Sequence, residues 1–373
     1  MNDKKDPKHG GQLDRRGFIV GSASLALVAG AGLARCSDDG GQPDGPTDAS
    51  PDRLGKDLPR EGAPSCSSPP TPLSPPSSPA RVVEVHDVKS VSGTVYDAAR
   101  IKAMVIAGIQ RLANVTDTKQ AWKALIPDFA ASMRIGLKIN TLNAQLNNSP
   151  EVLLALIDTL VNDLGADAQK IWVWDRRTDE LTRAKLSQSV LKVKVAGTYA
   201  SVTDMSGPGY EVKGVCAIDK QTRLSKILTA ETDITINLGL LKTHNVSAIT
   251  GALKNVYGCI DNPGEFHTDL NHYLPAIYRL DAMRKPLRLH ITEGLRAVTK
   301  GDTTDYPDAV PGRLLFATDP VAIDVYAVKL VNSIRALNPK LKPLPTDKLV
   351  WIDEAAQLNL GTKTLDEQLV TMP

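Results

Sequence analysis

Ile234-Thr235-Ile236-Asn237-Leu238 alternates branched apolar side chains with polar ones. After it the chain passes through Gly239-Leu240-Leu241-Lys242-Thr243-His244-Asn245. It then resumes at Ser247-Ala248-Ile249-Thr250-Gly251-Ala252-Leu253-Lys254-Asn255-Val256-Tyr257-Gly258 with Ile249, Ala252, Leu253 and Val256 on one helical face. A strand, a polar turn and a helix are the unit from which parallel sheets are built.

The same alternation runs outward in both directions. Strands are predicted at Val82-Val83-Glu84-Val85-His86, Ile135-Gly136-Leu137-Lys138-Ile139-Asn140, Ile171-Trp172-Val173-Trp174-Asp175, Leu287-Arg288-Leu289-His290-Ile291 and Leu314-Leu315-Phe316. Helical spacing is predicted over 96–112, 150–164, 178–186, 247–258, 270–283 and 319–336, with Pro150 opening the second helix and Glu180 and Arg183 on exposed positions of the third. The expected fold class is α/β, a mostly parallel β-sheet with helices on both faces.

Composition narrows the function. The chain has 373 residues, 44 basic against 42 acidic for a formal charge of +2, and only 4% aromatic residues. Neither a basic field nor a stacking platform for nucleic acid is present, so none is expected as a partner. Four cysteines at 36, 66, 216 and 259 match no zinc spacing and no Cys-x-x-Cys pair, and no iron-sulfur cluster motif occurs.

Residues 1–36 carry Asp14-Arg15-Arg16-Gly17-Phe18-Ile19-Val20 followed by a Gly- and Ala-rich apolar stretch to Ala34. A charged segment before a short apolar one is the pattern of a signal peptide, and the arginine pair resembles the twin-arginine type. Glycines dilute the stretch below what a permanent span needs. Leu33-Ala34-Arg35-Cys36 resembles a lipobox with Cys36 as the lipidation site, although Arg35 stands where a small residue is usual. The expected partners are therefore the twin-arginine translocase and, only through a lipid anchor, the membrane; the expected location is periplasmic or membrane-anchored.

Residues 37–80 hold eleven of the chain's 25 prolines amid Asp, Gly and Ser. That composition reads as a disordered linker, with Cys66 incidental to it. A single folded domain is expected over 81–373.

In parallel sheets ligands bind beyond the carboxyl ends of the strands. Asn140, Asp175, Lys242 with His244, Glu293 and Asp319 follow predicted strands and are expected to share one cleft. Lys242 and Lys254, with amides of a helix capped by Asn245 or Ser247, would receive a carboxylate or phosphate. His244 would be a general acid or base. Glu265, His267, Asp269 and His272 are metal-ligand types. His267 and His272 converge only if His267 precedes a helix capped by Thr268. Asp319 before Pro320 is an ordinary helix start. Asp324 lies among Val321, Val328 and Val331, so it should meet a cation: Lys242, Lys254 or a divalent metal.

Three segments carry a family resemblance: Gly136-Leu137-Lys138-Ile139-Asn140; the block from Lys242-Thr243-His244 to Lys254-Asn255-Val256-Tyr257-Gly258; and Ala317-Thr318-Asp319-Pro320-Val321-Ala322-Ile323-Asp324. In these the chain resembles the family called domain of unknown function 362. Many members resemble it in carrying an export signal, and others are joined to a ferredoxin module that this chain lacks. The resemblance implies that Lys242, His244, Lys254 and Asn255 are functional, as the catalytic set. Lys138, Asn140, Asp175 and Gly251 are the expected substrate-binding residues, and His267, His272 and Asp324 the expected metal set. The function expected is a cell-envelope enzyme acting on a small anionic substrate. The alternatives are a non-catalytic ligand-binding lipoprotein and a redox partner in which Cys216 and Cys259 approach each other.

Overall fold

Eight strands form one sheet in the computed structural model, which describes Cys66 and residues 70–373. The expected signal peptide, Cys36 and the expected linker up to residue 69, apart from Cys66, lie outside the described residues. In chain order the strands are β1 (Ala80–His86), β2 (Ile135–Lys138), β3 (Ile171–Arg177), β4 (Lys194–Tyr199), β5 (Ile234–His244), β6 (Leu287–Val298), β7 (Arg313–Ala317) and β8 (Leu365–Thr371). Their spatial order is β8-β1-β7-β6-β5-β2-β3-β4, and a short strand Ala248–Ile249 folds back on the end of β5. Every neighbouring pair is parallel except the two made by β7, so the expected α/β architecture holds.

Helices cover both faces. On one, α1 (Ala98–Ala113) and α2 (Pro150–Thr159) bury Ile101, Met104, Val105, Ile109, Leu153 and Leu156 against Val83, Val85, Leu137, Val173, Ile236 and Leu238. On the other, α4 (Gly251–Asn255), α5 (Leu270–Arg279) and α6 (Pro320–Ala336) pack Leu253, Leu274, Ile277, Ile323 and Val331 with Trp351 over Trp174 and Leu241. Each fully buried aliphatic side chain contributes about 1.5–3 kcal/mol, so both faces are anchored. Between β3 and β4 lies the short α3 (Thr178–Arg183).

Local sequence explains the helix starts. Asp97 caps the amides of Ala99 and Arg100 and Ser149 caps Val152. Asp319 caps Val321 and Ala322 with Pro320 at the first helical position, as its sequence context indicates.

Several expectations change. β5 runs to His244 and is buried at all eleven positions, because a central strand covered on both faces needs no polar face. Lys242 is therefore a strand residue, not part of a turn. The helix expected over 247–258 is only five residues long, followed by a tighter turn over Val256–Cys259. β4 and β8 carry too little apolar alternation to be seen in the sequence.

The linker also ends earlier than expected. Leu73 packs on the core, its amide donates to Leu358 O, and Arg279 and Asn359 donate to the carbonyls of Thr71 and Leu73. Cys66 is disulfide-bonded to Cys216 rather than incidental. Residues 70–79 thus form a strap lying on the domain.

Candidate functional site

The site begins where β2 and β3 end beside β5, which runs on past them to His244. Lys138, the last residue of β2, donates from Nζ to Asp175 Oδ1 on β3 at 2.7 Å and to Ile139 O at 2.7 Å. The other oxygen of Asp175 accepts from Thr141 N and Oγ1 at 2.7 and 2.9 Å. Burial pushes the Asp175 carboxyl up, but Lys138 and these donors outweigh it and hold it below the usual range. Lys138 and Asp175 therefore neutralise each other and shape the loop after β2. Gly258 leaves room for the pair, since a Cβ there would stand 2.8 Å from Lys138 Nζ and 2.9 Å from Asp175 Oδ1.

His244 closes β5. Its Nδ1 accepts from Val246 N at 3.1 Å and Ser247 N at 3.3 Å, which pins the turn into the return strand. With Nδ1 accepting, the neutral ring carries its hydrogen on Nε2. Burial first, then Lys254 and His267, lowers its pKa well below the usual value, so the ring stays neutral.

His267 stacks on it with ring centroids 5.9 Å apart and planes at 14°. Its tautomer is the opposite one. Nδ1 lies 2.8 Å from Pro263 O and must donate, because a carbonyl can only accept; Nε2 therefore holds a lone pair, buried and without a partner among the described residues. Burial lowers its pKa to about 3.

Both imidazoles line a pocket together with Lys138, Asn140, Asp175, Arg176, Arg177, Glu180, Lys254, Asn255 and Tyr257. Its volume is about 110 Å³, below the ~300–1,000 Å³ of a site for a drug-sized molecule, so it suits a small ligand. Four cationic side chains, Lys138, Arg176, Arg177 and Lys254, face two carboxyls, Asp175 and Glu180, an excess of two positive charges when both acids are ionised. Lys254 also sits 4.1 Å over the Tyr257 ring.

Glu180 is not on an exposed position. It is buried beside Arg177, whose Nη2 is 2.8 Å from Oε1, and burial followed by the nearby Asp175 charge raises its pKa to about 7. Arg176, Arg177 and Glu180 were missed as site residues. Their signal is their place just beyond Asp175: Arg176 and Arg177 extend β3 past it, and Glu180 follows in the first turn of α3.

Lys242 is 1% exposed and lies behind the pocket wall, donating to Asn140 Oδ1 at 2.9 Å; burial lowers its pKa to about 8. Gly251 does not line the pocket; it packs against Asp324 of α6, with φ +56. Asp324 meets neither lysine. Its oxygens accept from Ala252 N at 2.5 Å and Leu253 N at 2.9 Å, so it caps α4 in place of Asn245 or Ser247. The cation expectation fails because the amides at a helix start, invisible to a count of charges, already supply donors.

The expected metal set is not assembled. His272 is exposed on α5 and hydrogen-bonds Glu354 at 2.6 Å, while Asp324 is buried under α4. His267 does precede the helix, but Asp269, not Thr268, holds the cap position. Among the described residues no group of three or more His, Cys, Asp or Glu is arranged to hold a metal ion.

Two further strand-end residues leave the cleft. Asp319 follows β7, which runs antiparallel to its neighbours and so delivers it to the opposite end of the strands. Glu293 lies within β6, where it accepts from the amide of Ser149 and from Asn148 Nδ2 at the start of α2. Cys216 is bonded to Cys66, and Cys259 is a buried free thiol, so the Cys216–Cys259 pair is not formed.

A search of the solved structures brings up a Thermotoga maritima protein, a Northeast Structural Genomics Consortium target. It is 9% identical with a TM-score of 0.31, over 72% of this chain and 60% of that one; this chain thus spans under two thirds of that protein's length. A likeness that distant carries no argument about the site. No curated protein matches the chain. A family profile described as Domain of unknown function (DUF362) matches residues 135–329, which takes in β2 to β7 and every pocket residue named above. The chain belongs to the domain of unknown function 362 family.

Proposed function

We propose that the protein is an enzyme of the cell envelope acting on a small anionic substrate held in the pocket at the ends of β2, β3 and β5. One observation carries the reading: four cationic side chains, a neutral imidazole N–H, a neutral imidazole lone pair and a carboxyl poised near neutrality line a single small cavity. Perturbed groups gathered in one cleft mark functional sites more often than structural ones.

The roles differ from those expected of the residues alone. His244 is not the base, because its Nδ1 is spent on two backbone amides; its Nε2–H donates to the substrate. Glu180, ionising near pH 7, is the proton acceptor and donor. Lys254 and Arg176 hold the anion, and Lys138, Asp175 and Lys242 keep the walls in place.

Export supports the cell-envelope part. The arginine-pair leader is of the exported kind, and a disulfide between Cys66 and Cys216 persists in oxidising compartments rather than in a reducing cytosol.

Turnover of small organic phosphates and carboxylates, screened over a range of pH, tests the reading. The expected rate rises through an apparent pKa near 7 and falls by about 10²–10⁴ in Glu180→Gln, with melting temperature preserved. A ligand that binds and is returned unchanged by the wild type at every pH would leave a non-catalytic binding protein instead.

A further inference from the structure

The pocket's hydrogen-bonding polarity is dictated by a buried chain of side chains. Lys242 Nζ donates to Asn140 Oδ1 at 2.9 Å, and Asn140 Nδ2 donates to Asn255 Oδ1 at 3.0 Å. Asn255 Nδ2 donates to Asn237 Oδ1 at 2.8 Å and to Leu238 O at 3.1 Å. Asn237 Nδ2 donates to Ala252 O at 2.9 Å and lies 3.1 Å from His290 Nδ1, whose other nitrogen is 3.1 Å from the Tyr278 hydroxyl.

Amide nitrogen and oxygen are easily interchanged, but not in this chain. The carbonyls of Leu238 and Ala252 can only accept, so they turn Asn255 and Asn237 one way. Asn255, so turned, presents Oδ1 to Asn140, whose Nδ2 must donate to it, and this leaves Asn140 Oδ1 to accept from Lys242.

Both amide oxygens at the pocket wall are therefore occupied from behind, Asn140 Oδ1 by Lys242 and Asn255 Oδ1 by Asn140. Asn255 spends both of its amide hydrogens on Asn237 Oδ1 and Leu238 O, so the N–H that these two amides can still add to the cavity is the second one on Asn140 Nδ2. Lys254, Arg176 and His244 Nε2–H add more donors, and the hydroxyls of Thr250 and Thr303 can either donate or accept; with Asp175 filled by Lys138 and Thr141, the lining groups that can only accept are the His267 Nε2 lone pair and the Glu180 carboxylate.

A ligand matching this array has several acceptor oxygens and one hydrogen to give. Resting on the anion reading above, we infer that the substrate is an oxyanion that keeps one hydroxyl hydrogen, which His267 Nε2 accepts, and that hydrogenphosphate is the smallest member of the class. A fully deprotonated oxyanion of equal charge and shape leaves the His267 lone pair facing an oxygen. Sites built to hydrogen-bond a group reject the analogue that lacks it.

Inorganic phosphate and sulfate separate the two cases, because in mildly alkaline buffer each carries two negative charges and only phosphate carries a hydrogen. Calorimetric titration of the full-length protein is expected to show phosphate binding at least about tenfold tighter than sulfate, which corresponds to ~1.4 kcal/mol. In His267→Phe, which keeps a ring against His244 and Tyr257, phosphate should weaken about tenfold while sulfate is unchanged. Unchanged sulfate binding also certifies that the variant's pocket is folded. If that variant fails to fold, His267→Leu, which also removes the Nε2 lone pair, should likewise reduce the preference for phosphate over sulfate. Sulfate binding as tightly as phosphate in the wild type overturns this inference and leaves the anion reading standing. Failure of both ions to bind overturns the anion reading and this inference with it.

Discussion

At the scale of single residues, Asp324 shows how burial and hydrogen bonding oppose each other. Burial raises its pKa from the ordinary 3.8 to about 7, although the amides of Ala252 and Leu253 pull the other way. A carboxyl whose folded value is raised contributes stability that is complete below the unfolded value and is lost as pH rises through the folded one. Asp324→Ala strips two buried amides of their acceptor and should cost about 2–4 kcal/mol. The gap in melting temperature between wild type and variant should be widest below about pH 4, narrow steadily as the pH rises to about 7 and change little above it. A gap that widens with pH would mean that the amides, not burial, dominate. The sequence showed correctly that this carboxylate needs a partner. It named the wrong kind, because a partner made of backbone N–H exists only once α4 has formed.

At the scale of elements, α4 is five residues long, too short to hold itself together, yet it carries Lys254 and Asn255 to the pocket. Contacts from α6 hold it. Gly251 opens it with φ +56, and a Cβ at that position would lie 2.3 Å from Asp324 Oδ1. Gly251→Ala should therefore cost about 3 kcal/mol in chemical denaturation and also weaken phosphate binding by displacing Lys254. Ile109→Ala, on α1 across the sheet, should lose a similar amount of stability, about 2–5 kcal/mol, and leave phosphate affinity intact. Equal loss of affinity in both variants would show that binding merely follows global stability. Strand direction is the other decision made at this scale. Lys138, Asp175 and His244 meet because β2, β3 and β5 are parallel neighbours, and Asp319 is sent away because β7 is not.

At the scale of the whole molecule, the Cys66–Cys216 bond closes a loop of 150 residues and ties the strap of residues 70–79 to the domain. Cys66→Ser should lower stability by about 2–4 kcal/mol and raise hydrogen exchange at the amide of Leu73, and a reductant should reproduce both effects in the wild type but add nothing in the variant. Unchanged exchange at Leu73 would mean that the strap is held by its own contacts. Cys66 gave no sign of this role because its partner is remote in sequence and no spacing rule connects them. The sequence by itself determined the α/β class, the parallel core strands and the concentration of polar residues where those strands end, because alternation and helical periodicity are local properties of the chain. Only the tertiary structure decided which of those residues share a cavity, which nitrogen of each imidazole carries the hydrogen and which way each amide faces. Those outcomes depend on strand direction and on backbone donors and acceptors that come together only when distant segments pack.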